Sequence, residues 1–280
     1  MNAGKHGEQI LPQEAMIERV RRICRLDERL AAAMMYGSFI QSEGDEYSDI
    51  EFVFFVKEDA LIDQKKWVAQ IASVELYFIN EFGVGTAIFD NLVRGEFHFD
   101  KASDIKKVDE SWRRTDWLPS LDVTLVLDRT GELTRRLKMV VGSPLDRDTP
   151  EQAQFLCRGF FNWFLFGLNL LARGELARAL DYLGFLQRYL LWMVRLLERE
   201  TTHWPTPSKA LEKDISEAAY GRYVACTARL DREELWSAYL SSWDWGKDMM
   251  LSLAERHDII LPSTLCEQLD LRLTAAGHSR

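Results

Sequence analysis

Four cysteines in 280 residues, Cys24, Cys157, Cys226 and Cys266, are too few and too scattered for a disulfide framework. No C-x-x-C pair is present to begin a zinc site. Free thiols of this kind suit a reducing compartment, and a cytoplasmic location is the expectation. No useful run of Lys or Arg occurs, and the formal net charge is −9. Such a chain is a poor nonspecific binder of nucleic acid and is better matched to a cationic or metal-nucleotide ligand. The polar N-terminus has no apolar stretch of the kind a secretory leader needs. The longest apolar run, Phe160 to Leu171, contains Asn162 and Asn169. It is too short for a membrane span and is expected to be a buried helix. Internal repeats and low-complexity tracts are also lacking. Neither a membrane nor nucleic acid is expected as a partner.

What is present is apolar mass. Hydrophobic residues make up 47% of the chain, with nine Trp and fifteen Phe, enough for one large domain or two modest ones. Residues 1–12 are small and polar and are expected to fray. From Pro12, Met16, Val20, Ile23, Leu26 and Leu30 recur at helical spacing. Ala31 to Tyr36 reads as a strand entering a tight turn at Gly37-Ser38, and Asp49 to Val56 as the next strand. Trp67 to Ala72 belongs to a helix. Val74 to Ile79 and Thr86 to Leu92 bracket Asn80-Glu81-Phe82-Gly83, a hairpin connection. Phe97 to Asp100 continues the sheet, Leu121 to Leu127 is a further strand, and a helix lies near Gly131 to Val140.

The character shifts after Pro144. Thr149-Pro150-Glu151 is a good helix start, because Thr caps and Pro suits the first helical position. Periodic segments then cover 150–172, 175–201, 231–257 and 263–275, punctuated by Gly174 and Trp204-Pro205-Thr206-Pro207, with no strand among them. The expected fold class is therefore α+β: a small mixed-sheet domain, 1–148, followed by an all-helical bundle, 149–280. Only 17 of the 44 acids and 15 of the 35 bases lie from residue 150 onward, so the acidity sits in the sheet-bearing half.

The chemistry concentrates between residues 37 and 52. Gly37-Ser38 is followed, after ten residues, by Asp49-Ile50-Glu51-Phe52. On a strand of period two, Asp49 and Glu51 share one face. Paired carboxylates repel unless a cation sits between them, and oxygen ligands with room for phosphates suit Mg²⁺. Gly37 lets backbone N–H groups approach a phosphate, and Ser38 adds a hydroxyl. The plainer alternatives are a polar edge strand with two solvated acids and a Ser38 that merely caps a helix. Glu96 stands among Val93, Phe97 and Phe99, where an acid needs a reason to be; a salt bridge to Arg94 is the simple one. His98 would share the face of Glu96 and either touches substrate, orients Glu96 or is simply hydrogen-bonded at the sheet surface. Asp45 and Asp90 are further acids near the motif, although turns favour Asp anyway.

Met34-Met35-Tyr36-Gly37-Ser38-Phe39, Glu43-Gly44-Asp45, Tyr47 to Phe52 and Ile88 to Phe99 resemble the lincosamide nucleotidyltransferases, within the superfamily of DNA polymerase beta and the antibiotic-modifying nucleotidyltransferases. The first motif alone marks only the superfamily; the block from Ile88 is more specific. The likeness runs from about residue 15 to about 270 and includes Thr227-Ala228-Arg229-Leu230-Asp231. It implies transfer of AMP from MgATP to a hydroxyl of lincomycin or clindamycin, with release of pyrophosphate and resistance to the antibiotic. It further implies Asp49 and Glu51 as metal-binding carboxylates, Gly37 and Ser38, together with Asp49, as nucleotide contacts, Glu96 as general base, and a homodimer. No departure occurs at those five positions. His98 is a possible substrate contact. An aminoglycoside nucleotidyltransferase is the alternative, although a polycation would need clustered acids that the near-neutral helical half does not offer. A non-catalytic nucleotidyltransferase-like regulatory protein is the other, against which the retention of all three carboxylates speaks.

Overall fold

A computed structural model of the chain describes residues 10–115, 118–142 and 145–277. Residues 1–9 and Pro144 lie outside the described residues. The chain divides into two compact units, Met1–Leu145 and Asp146–Arg280.

The first unit begins with α1 (Pro12–Leu26) and β1 (Leu30–Tyr36). Next come β2 (Ile50–Val56), α2 (Gln64–Val68), β3 (Val74–Ile79), β4 (Gly85–Phe89) and β5 (Arg94–Lys101). A 3₁₀ helix (Ala102–Lys107) leads into α3 (Val108–Thr115). Then follow α4 (Leu121–Thr124), β6 (Leu125–Asp128) and α5 (Glu132–Leu137). The six strands form one mixed sheet in the order β3-β4-β5-β2-β1-β6. Only β2 and β5 pair in parallel; the other neighbours are antiparallel.

The pleat sorts β2 and β5 by face. Phe52, Phe54, Phe97 and Phe99 turn to one side, where Trp67 of α2 lies 4.4 Å from the Phe54 ring and Ile17 of α1 flanks Met35. Those rings make the apolar core, and Phe52, Phe54 and Phe97 are fully buried. Glu51, Glu96 and His98 are left for the opposite side.

The second unit is helical among its described residues: α6 (Pro150–Arg173), α7 (Leu176–Glu198), α8 (Leu211–Asp214), α9 (Glu217–Ala225), α10 (Arg232–His257) and α11 (Ser263–Gly277). Thr149 caps α6 by accepting from the Gln152 N–H at 3.2 Å, and Gly174 ends it at φ +75°. Asp231 caps α10 through the N–H groups of Glu233 and Glu234. Phe164 and Trp243 stack 4.8 Å apart where α6 meets α10. Arg195, on α7, is fully buried. Its guanidinium donates to the carbonyls of Glu200, Pro207 and Lys209 and to Asp214, which ties the Pro-rich connection down onto the helix.

Four expectations need correction. Leu30 fits the helical spacing of α1 but opens β1, because the Asp27 carboxylate accepts from the Arg29 N–H and from Trp67 Nε1 and stops the helix there. Leu121 to Leu127 is not one strand; a helical turn precedes β6, which is extended only where it pairs with β1. The helices from Ala102 to Thr115 and from Leu211 to Ala225 went unread in the sequence. Finally, α6 has 24 residues, long and apolar enough to cross a bilayer by length and composition, so shortness does not decide its place. Half of its apolar window is nevertheless buried, and it packs against α7 and α10.

Candidate active site

The parallel register of β2 and β5 partners Glu51 with Glu96, so both carboxylates leave the same face of the sheet. Asp49 lies just before β2, two residues from Glu51. Arg94 joins the group: its guanidinium donates to Asp49 through Nη1 and to Glu96 through Nη2. The three expected carboxylates thus meet on one face, with a cation between two of them. Burial works against the charge on Arg94, but its hydrogen bonds to Glu96 and Asp49 outweigh that and raise its pKa. The salt bridge weighed as the simple explanation of Glu96 is real, and it includes Asp49 as well.

Gly37 sits at the end of β1 with φ +82°, in the left-handed region that L side chains resist. A Cβ there would lie 1.4 Å from Glu51 Oε2 and 2.3 Å from its Cδ. The turn is therefore closed directly over the Glu51 carboxylate, and only glycine leaves it room. Ser38 does not cap a helix. Its carbonyl accepts from the Gln41 and Glu43 N–H groups at 3.1 and 3.0 Å in a series of turns. The loop that follows is held from α1: Gln13, 1% exposed, donates through Nε2 to the carbonyls of Glu46 and Ser48, at 2.9 and 3.2 Å. Asp45 serves this loop, accepting from the Tyr47 N–H and the Ser48 hydroxyl. Asp90 is exposed at the turn after β4.

Tyr36 is the residue that sequence reasoning passed over. It partners Glu51 across β1 and β2, and its hydroxyl lies 3.5 Å from Glu96 Oε2 and 3.0 Å from His98 Nε2. Its ring is held 5.0 Å from that of Trp112 on α3. The signal was available, since Tyr36 has the parity that places it beside Glu51 once the strands pair. His98 therefore does share the face of Glu96, and Tyr36 links the two. Burial pushes the His98 pKa down, against the pull of Asp100 and Glu96, which favours a neutral ring. Burial likewise raises that of Asp100.

Among the described residues no group of three His, Cys, Asp or Glu side chains forms a ready metal cage. Mg²⁺ needs less. It keeps water and substrate oxygens and takes one or two carboxylates from the protein. Asp49 and Glu51, hard oxygen donors two residues apart, fit that demand, and Arg94 already shows that a cation is accommodated at Asp49.

The solved structures that resemble the chain include two nucleotidyltransferase-type proteins. An aminoglycoside 6-adenyltransferase from Bacillus subtilis is 14% identical, with a TM-score of 0.44, covering 95% of this chain and 98% of that one. A nucleotidyltransferase-like protein from Exiguobacterium sibiricum is 13% identical, with a TM-score of 0.39, covering 88% and 77%. No curated protein matches the chain. Residues 149–272 match the family described as lincosamide nucleotidyltransferase-like, C-terminal domain. The helical unit of this chain is thus similar to the C-terminal domain of lincosamide nucleotidyltransferase-like proteins.

Proposed function

We propose that the chain transfers AMP from MgATP to a hydroxyl of a lincosamide such as lincomycin or clindamycin, releasing pyrophosphate and inactivating the antibiotic. One observation carries this reading: Glu51 and Glu96 are partnered in register on one sheet face, with Asp49 drawn to the same place by Arg94. In this reading residues 1–148 are the nucleotidyltransferase domain and 149–280 the helical domain, working in the cytoplasm as a homodimer.

Asp49 and Glu51 would hold Mg²⁺, which supplies charge neutralisation on the triphosphate and polarises the phosphorus to be attacked. The N–H groups of the turn at Gly37 and the Ser38 hydroxyl take phosphate oxygens beside that pair. Glu96 receives the proton of the acceptor hydroxyl as the new O–P bond forms. Such help is worth roughly 10²–10⁴-fold in rate. Tyr36 holds Glu96 and His98 in place, and a neutral His98 is free to accept a hydrogen bond from the acceptor. Arg94 limits the repulsion among the three acids before substrate arrives.

Mass spectrometry of clindamycin incubated with the protein and MgATP tests the proposal. The expected product is clindamycin plus one adenylate. Turnover of an aminoglycoside alone would reject the lincosamide, and no pyrophosphate release with any hydroxyl acceptor would reject the enzyme.

A further inference from the structure

The site's sheet face continues beyond Glu96 toward the margin. The strand register makes a row: Tyr36 on β1, Glu51 on β2, Glu96 on β5, Thr86 on β4 and Phe78 on β3. The neighbouring row runs from Arg94 through Ile88 to Leu76. Directly partnered residues share a face. Leu76, Phe78 and Ile88 therefore stand on the same side as the three carboxylates, and Phe78 lies two strand spacings, roughly 10 Å, from Glu96. Leu76 is 49% exposed and Phe78 42%. Large apolar side chains side by side on an exposed sheet face mark a binding surface more often than a scattered exposed leucine does.

We propose that Leu76, Phe78 and Ile88 form a shelf that seats the apolar part of the acceptor, which selects a hydroxyl compound with a nonpolar arm and disfavours a polycation. The inference rests on the AMP-transfer reading and deepens it. In-line displacement at phosphorus puts the attacking and leaving oxygens on opposite sides. The leaving pyrophosphate belongs at the Gly37 turn, which closes over Glu51. The acceptor must then come from the other side of Glu96, and in the sheet order that side is β4 and β3. Of the four positions there, Thr86 is buried while Ile88, Leu76 and Phe78 are partly exposed, and none carries a charge. A polycationic sugar would meet no carboxylate on them. A lincosamide, with hydroxyls at one end and apolar groups elsewhere, would cover the shelf while its hydroxyl meets Glu96.

The test compares the parent with L76S/F78S and with the conservative variant Phe78→Leu. Both side chains are partly exposed, and circular dichroism with thermal melting checks the fold. The KM for clindamycin should rise at least about tenfold in L76S/F78S, in keeping with the selectivity of apolar pockets, while the KM for MgATP stays within about twofold. F78L should stay near the parent. Calorimetric titration of clindamycin reads the shelf without turnover. A parent that binds clindamycin but transfers nothing, with L76S/F78S binding at least about tenfold more weakly, keeps the shelf and loses the reaction. A parent that transfers AMP, with a folded L76S/F78S of unchanged KM and affinity, loses the shelf and keeps the reaction. A parent that neither binds nor transfers overturns both.

Discussion

Glu51 and Glu96 occupy partnered positions on neighbouring parallel strands, which sets their backbones one strand spacing, about 4.8 Å, apart with both side chains on one face. Two carboxylates so placed can divide the labour, one toward a metal and one toward a proton. Glu96→Gln should lower kcat by about 10²–10⁴-fold and leave the KM for MgATP within about twofold. Glu51→Gln should instead weaken the response to Mg²⁺, so that its activity saturates only at higher metal concentration. Pyrophosphate release followed across a magnesium titration separates the two. A Glu96→Gln enzyme near the parental rate would remove that residue from the proton transfer.

Gly37→Ala makes a different demand. The new methyl group meets the Glu51 carboxylate and the backbone is asked to keep φ +82°. The variant should lose roughly 1–2 kcal/mol of stability, as positive-φ sites do, and most of its activity, because Glu51 must move to make room. Chemical denaturation and steady-state kinetics check the two effects. Full activity in Gly37→Ala would show that the turn need not sit so close to Glu51.

In the helical unit, Asp214 carries a pH-dependent stability. Its oxygen Oδ2 lies 2.9 Å from Arg195 Nη1 and 2.6 Å from His203 Nδ1. Burial alone would raise its pKa, but the hydrogen bonds and charges of His203 and Arg195 prevail and hold it below the usual 3.8. The unfolded chain thus takes up its proton first as pH falls. The stabilisation is complete above pH 3.8 and is lost as pH drops through the lower native value. Asp214→Ala leaves the buried Arg195 charge without its carboxylate and should cost about 3–5 kcal/mol at neutral pH. The gap between parent and variant in denaturation midpoint should narrow below that pH.

Gly246 of α10 packs closely against Phe160 of α6. A Cβ on it would lie 2.1 Å from Phe160 Cζ, a ring that is fully buried. Gly246→Ala should therefore destabilise by about 1–3 kcal/mol, although alanine is the better helix former. A rise in melting temperature would show that the ring has space to move.

The sequence carried the local parts of this fold and not its assembly. The apolar run Ala31 to Tyr36 and the alternation from Asp49 to Val56 announce β1 and β2, and Thr149-Pro150 announces α6, because a strand period and a helix cap are written in adjacent residues. The parity of Glu51 and Glu96 was legible in the same way. Their partnership was not, since it depends on β5 pairing in parallel with β2 across the 37 residues 57–93, about which alternation says nothing. Arg94 entered the reading only as a neighbour of Glu96, because its reach to Asp49 exists only after that pairing. Leu121 to Leu127 failed where a short apolar run fits helix and strand equally. Arg195 gave no signal for another reason: it is one of three arginines on α7, and nothing local shows that four oxygens from the chain after that helix will surround it.

The place of β3 as the last strand of its sheet has a consequence for selectivity. A molecule laid from the Gly37 turn across the row to Phe78 has a fixed stop at one end and the rim of the sheet at the other. Its reactive group must be positioned to within a bond length, whereas its tail overhangs an open border. Discrimination should then be strict about where the hydroxyl stands and lenient about how long the greasy end is, so homologues that differ only in alkyl length should react at similar rates.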